Sequence, residues 1–447
     1  MWAAREPDFE RMSEPLLYAR AVHFGATLMV AGIAFFVVFI AEPAFRQAPS
    51  AAGLAVTVRR ALARIAWIGL ALCLLSGTAW LVLVAASMSG QPLAAVYAQD
   101  IVWTVLSQTD FGNDWLARFA FACVLAGLFV QLLSAKGTRS VWIEGAAVVF
   151  AAAFAGSLAF AGHAVGGQGT EGIVHPAGDI LHLIAAAAWV GALVPLAMLL
   201  FMTKGEGALG VARIATLRFS TLGIISVATL LVTGLVNSWY LVGSISALDE
   251  SEYGRLLMAK IALFAIMVGI AALNWSQLTP RLVRNADAGT VQKARRALCR
   301  NAAVEALFGA GVIAIVAVLG TLPPASHAHH EAASSVIPAD ASFQHIHGEN
   351  GMADVLIEPG HVGMVSATIH LWNDDLETLP AKNVTLTLTA PAAGSKPITR
   401  TALRTAETWR IDGIQILVPG NWVVTVTATL ESNRRLELTA PIEIDPK

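Results

Sequence analysis

Residues 178–202 read GDILHLIAAAAWVGALVPLAMLLFM, a segment that is apolar all round apart from Asp179 and His182 near its start. An α-helix needs about 17–25 such residues to cross the hydrocarbon core of a bilayer, so this stretch reads as a membrane span. Seven further runs of the same kind lie at about 16–41, 61–86, 115–135, 141–162, 217–243, 255–278 and 302–322. Beyond Pro323-Pro324 the apolar runs stop, and short alternating segments replace them to the end of the 447-residue chain.

Composition agrees. Hydrophobic residues make up 56% of the chain and charged residues 13%, where a soluble chain carries about a quarter charged. The net charge of −2 gives no basic balance for nucleic acid, and no GxxxxGK[ST] loop is present for a nucleotide. Three cysteines without a CxxC pair exclude a disulfide framework and a thiolate zinc site. What remains is an all-α polytopic membrane helix bundle of about eight transmembrane helices, followed by a small all-β domain.

Lys and Arg gather in alternate loops. Arg46, Arg59 and Arg60 follow the first span, Lys136 and Arg139 the third, and Lys204 and Arg213 the fifth. Arg281, Arg284, Lys293, Arg295, Arg296 and Arg300 follow the seventh, whereas 87–114 and 163–177 have no basic residue. By the positive-inside rule both termini face away from the cytoplasm. The acidic N-terminal stretch has no A-x-A site before a short apolar region, so the first span reads as retained.

Ionisable groups at membrane depth usually mark a pathway, a cofactor or a paired structural contact. His23, His163 and His182 all fall at the extracytoplasmic end of the expected bundle, with His175 in a glycine-rich connecting loop. Imidazole suits copper, zinc and haem iron alike, and interfacial histidines also serve as anchors bonded to backbone or water. Trp189 lies two turns from His182 on one helical face, where packing is the ordinary role of a tryptophan. Met198 and Met202 read as core or lipid-facing filler, Cys73 and Cys123 as small core hydrophobes, Lys260 as a residue that snorkels outward, and Glu144 and Glu305 as partners of Arg139 or Arg300.

The tail holds His327, His329, His330, His345 and His347 within 21 residues, followed by Met352, His361 and Met364. Thioether together with imidazole favours copper over zinc. Segments Val365–Trp372, Val384–Thr389, Ile414–Val418, Trp422–Leu430 and Leu436–Ile444 read as strands, and five to seven of them suggest a small Ig-like β-sandwich. The expected divisions are a membrane domain at 1–322, a His-rich linker at 323–342 and a β-domain at 343–447.

Several runs resemble the copper resistance protein D (CopD) family of bacterial inner-membrane proteins. They are Ala161-Gly162-His163-Ala164, then Leu181 to Leu193 around His182 and Trp189, Phe111-Gly112 with Trp115 and Arg118, and Arg218-Phe219-Ser220. Thr233-Gly234, Tyr253-Gly254-Arg255 to Lys260, Asn274, Arg300-Asn301 to Glu305 and Leu319-Gly320 to Pro324 continue the likeness over nearly all of 16–324. From about 343 the tail is similar to YtkA-like periplasmic domains. The resemblance implies copper handling at, or passage across, the inner membrane, and exchange with periplasmic copper-binding proteins.

The expected function is therefore copper binding and transport, with uptake the favoured direction and no enzymatic step. The tail would capture the ion and pass it to His23, His163, His175 and His182. Two rivals stand beside it. Histidines on adjacent helices also hold b-type haem in membrane redox proteins, although here only one membrane depth is populated. A copper store or delivery module would bind the ion without moving it across.

Overall fold

The computed structural model describes residues 6–89, 91, 93–98, 100–134, 140–161, 171–242, 251–283, 287–322, 338, 340–348, 351–372, 378–390, 397–405, 408–431 and 434–446. The chain divides into two compact units, Met1–Ala328 and His329–Lys447.

Among the described residues, the first unit contains eight helices long and apolar enough to cross a membrane. They are α1 (Glu14–Gln47), α2 (Pro49–Ser89), α3 (Asp110–Leu132), α4 (Val141–Phe160), α5 (Pro176–Met202), α6 (Leu209–Ser238), α7 (Tyr253–Val283) and α8 (Ala288–Leu319). With no water at membrane depth, backbone groups must pair within their own helix, and these uninterrupted apolar stretches satisfy that demand. Burial ranks them. The most apolar stretch of α1 is 78% buried and that of α5 61%, against 11–44% for the others, so α1 and α5 form the centre. Around them α1 packs on α2, α4, α5 and α8, while α5 packs on α4, α6 and α8.

The two central helices cross at glycines. A Cβ on Gly32 would collide with the backbone of Gly191, and one on Gly191 with the carbonyl of Leu28. Small residues at such crossings let membrane helices approach closely enough for dispersion to hold them. At the end of the bundle that carries the basic loops, Arg59 makes a bidentate, buried pair with Glu42, at 2.9 and 2.8 Å. Arg213 donates to the carbonyl of Leu282 at 2.9 Å, Arg295 to that of Leu200, and Arg218 to that of Phe39 at 3.1 Å. Arg213 and Arg295 thus satisfy carbonyls near helix ends that lack intrahelical partners, and Arg218 satisfies one inside α1, where Pro43 has no N–H to offer it.

Among the described residues, the second unit has nine strands in two antiparallel sheets. One sheet has the order β1 (Ser342–Gly348), β2 (Gly351–Glu358), β3 (Gly363–Trp372), β7 (Thr408–Ile416), β6 (Leu403–Thr405). The other runs β5 (Ile398–Thr401), β4 (Ala381–Thr389), β8 (Gly420–Leu430), β9 (Arg435–Ile444). Alternate residues such as Val355, Ile369, Leu386, Val424, Val426 and Leu438 are fully buried in one core, as period-two patterning requires. No cysteine lies in this unit, so apolar packing holds it.

Candidate functional site

His23 on α1 is buried with every polar atom engaged. Its Nδ1 lies 3.1 Å from the carbonyl of Cys73 and 3.2 Å from Ser76 Oγ on α2. Its Nε2 lies 2.6 Å from a guanidinium nitrogen of Arg118 on α3. Arginine only donates, so Nε2 accepts and Nδ1 carries the proton. Arg118 is itself tethered, at 3.5 Å from Thr27 Oγ1 and 3.8 Å from Asp114. In this arrangement the histidine's one lone pair belongs to Arg118, and a metal ion or haem iron would have to displace a buried guanidinium. Trp115 fixes the same corner by donating to the carbonyl of Gly77 at 2.9 Å.

His182 on α5 is placed differently. Its Nδ1 lies 2.9 Å from Thr233 Oγ1 on α6, and that hydroxyl donates to the carbonyl of Thr229 at 2.7 Å. A threonine has one proton to give, so it accepts from His182, which leaves the lone pair on Nε2. One turn toward the start of α5, Asp179 accepts a hydrogen bond from Asn237 of α6. His182 lines a cavity of about 300 Å³ between α5, α6, α7 and α8, with Lys260 and Ser238 among its few polar groups.

A second cavity of about 340 Å³ continues along the same four helices, and Trp189 and Leu231 border both. Trp189 is 1% exposed and packs edge-on against Phe264, so its indole forms the partition. Glu305 and Asn274 lie in the second cavity. Asn274 donates to Glu305 at 2.7 Å and accepts from Asn301 at 2.8 Å. Asn274 also opens a π-helical turn, Asn274–Leu278, a distortion often found where a helix carries function.

In the β-unit, strand register builds a row. His345, Asp354 and His370 are direct neighbours across β1, β2 and β3, and His347, Met352 and Trp372 form the next row on the same face. His345 Nδ1 contacts the carboxylate of Asp354, which also accepts from Trp372 Nε1 at 2.9 Å. An imidazole oriented by a carboxylate is the usual support of a metal ligand. His361 instead turns its Nδ1 to the carbonyl of Val362 at 3.1 Å, and Met364 is 63% exposed. Met364 lies six residues before His370 on β3, about 20 Å away, so the two ends cannot share one ion.

Among the other expected residues, His163, His327, His329 and His330 lie outside the described residues. The helix leading into α5 reaches back to Glu171, so His175 is helical where a loop was expected; its side chain, like that of His347 on β1, lies outside the description. Among the described residues, no three His, Cys, Asp or Glu side chains converge as a metal cage.

Four readings change. Lys260 lines the interior cavity where outward snorkelling was expected, because α7 turns that face toward α5 and α8. Glu144 pairs with Arg46, and Glu305 bonds to Asn274 where an arginine was expected. Cys123 is exposed on α3, where a core position was expected. Arg118, Thr233 and His370 were missed as parts of sites. For the first two a signal was available, since a basic residue and a hydroxyl inside apolar helices need partners; His370 joins its row only through the register of β2 and β3.

Comparison with known proteins agrees with these features. The family described as "Copper resistance protein D-like, N-terminal domain" matches residues 12–173, and that described as "Copper resistance protein D" matches 214–319. Copper resistance protein D of Pseudomonas syringae pv. tomato is 33% identical over 319 residues, covering 70% of this chain and 98% of that protein. The inner membrane protein YebZ of Escherichia coli K12 is 29% identical, over 68% of this chain and 97% of its own length. The copper transport protein CutJ of Bacillus subtilis 168 is 26% identical over 72% of this chain, which spans 56% of CutJ.

Proposed function

Because the chain belongs to the copper resistance protein D family, we propose that it carries copper ions inward across the bacterial inner membrane. The basic loops orient the bundle with both termini outside, so that His23 and His182 face the periplasm and Glu305 faces the cytoplasm. The observation that carries this reading is the pair of cavities along α5–α8, headed by His182 and ending at Asn274 and Glu305, with Trp189 between them.

In the proposed sequence, the histidine and methionine groups of the tail collect copper, alone or from periplasmic copper-binding proteins, and hand it to His163, His175 and His182; His23, whose lone pair Arg118 holds, stays out of the path. His182 supplies an imidazole lone pair oriented by Thr233. Glu305 and its asparagines supply oxygen ligands at the inner end. No bond of a substrate is made or broken, so the protein acts as a carrier and not as an enzyme. An interior-negative potential favours entry of a cation by about 2.3 kcal/mol per elementary charge per 100 mV, which suffices without nucleotide hydrolysis.

The test is copper accumulation in cells expressing H182A or H163A at wild-type protein level. Accumulation should fall severalfold for either variant. Unchanged accumulation would remove the path, and a protein that still loads copper without uptake would be a store.

A further inference from the structure

The two halves of the bundle carry one constellation twice. On α1, His23 is followed nine residues later by Gly32; on α5, His182 is followed nine residues later by Gly191. Each histidine turns Nδ1 to a hydroxyl on the next helix, Ser76 at 3.2 Å and Thr233 at 2.9 Å. Each hydroxyl residue precedes a glycine that lies against the ring, Gly77 and Gly234. The third helix of each half opens alike, with Thr109-Asp110-Phe111-Gly112 in one and Ser251-Glu252-Tyr253-Gly254 in the other. Thr109 accepts from the Gly112 amide at 3.1 Å, and Ser251 from the Gly254 amide at 2.9 Å. Six residues beyond the glycine, each then places a basic residue after an alanine, Ala117-Arg118 and Ala259-Lys260. Matching elements in the same order and direction are the signature of a parallel repeat about an axis along the membrane normal.

We propose that α1–α4 and α5–α8 are a parallel duplication whose sites have diverged, with the His182 copy as the copper subsite inside the bundle and the His23 copy closed by Arg118. The proposal rests on the copper reading above and assigns it to one half. In the first copy the guanidinium sits on His23 Nε2 at 2.6 Å and is held by Thr27 and Asp114 as well. A planar fork of donors pinned at several points is not displaced by swinging one bond.

In the second copy the equivalent residue is Lys260, a single ammonium on a flexible four-carbon stem. Among the described residues Lys260 makes no hydrogen bond and His182 bonds only to Thr233 through Nδ1, so the Nε2 lone pair is untaken, and both residues line the same cavity of about 300 Å³. Lys260 is therefore the resident cation that withdraws when a copper ion takes His182, while Arg118 stays.

The test uses the full-length chain, with bound copper per folded molecule measured by elemental analysis and copper uptake measured in proteoliposomes. H182A should lose one copper ion per chain and at least tenfold of the uptake. K260R, which gives the second site the first site's guanidinium, should lose the same ion while remaining folded. H23A should keep its copper complement per folded molecule, and H23Q, which retains an acceptor for Arg118, replaces it if the alanine variant does not fold.

Wild-type copper loading in both H182A and K260R, or loss of an ion in H23A or H23Q, would overturn the assignment. If the wild type shows no uptake yet H182A and K260R each lose their ion, the transport reading fails and the subsite stands. If uptake persists undiminished in both variants, transport stands and the subsite fails.

Discussion

Gly191 has no side chain because α1 occupies the place where one would stand. Replacing it with leucine forces the central helices apart, a disturbance of at least the roughly 1–3 kcal/mol of an overpacked core. G191L should therefore lose its monodisperse peak in detergent size-exclusion chromatography. G127L, at a helical glycine with nothing within 4 Å, should elute as wild type. Equal behaviour of the two variants would deny the crossing its role. Single residues were also where sequence reading reached least far. Lys260 and Arg118 were visible as charges, but α3 and α7 are apolar on every face, so periodicity could not tell the bundle side from the lipid side. Only packing against α1, α5 and α8 reveals it.

At the level of single elements, helix starts are set by short polar caps. Asp287 precedes α8 and accepts from the Thr290 amide at 2.8 Å and from its hydroxyl at 2.7 Å. Those bonds favour the charged carboxylate and lower its pKa below the ordinary aspartate value. A group depressed in the folded state adds stability above its unfolded pKa and loses it as pH falls through the folded one. Hydrogen exchange at the start of α8 should therefore be faster in D287A than in wild type at pH 5–7, with the gap closing below about pH 4. A gap that persists in acid would point to a cause other than the carboxylate.

The eight membrane helices were legible from apolar run length alone. The strands were less so. β1 and β2 escaped because the histidines and glycines of 342–358 hide the alternation, although Ile346, Ala353, Val355 and Ile357 point inward at the expected period. β7 begins at Thr408 and not at Ile414, since Arg410 and Asp412 give its first half a polar outer face.

For the molecule as a whole, the tail row and the bundle predict separable effects. Removing His345 and His347 together should reduce copper bound per chain by one ion and slow uptake when copper is scarce. Uptake at saturating copper should remain at the wild-type rate, because His182 and the cavities behind it are untouched. A matching loss at saturating copper would mean that the tail is an obligatory ligand of the path. The overall plan, a membrane bundle followed by a β-unit, was readable from composition. The site was readable only in its histidines, because sequence shows which residues are chemically capable but not which lone pairs neighbours have already taken. His23 and His182 look alike in the chain and differ chiefly in what Arg118 and Lys260 do beside them.

The glycine crossing of α1 and α5 has a mechanical meaning as well. Side chains that interdigitate lock two helices against rotation as teeth lock gears. Bare backbone against bare backbone has contact area but no teeth at that point. There the central helices meet at a bearing and not at a weld.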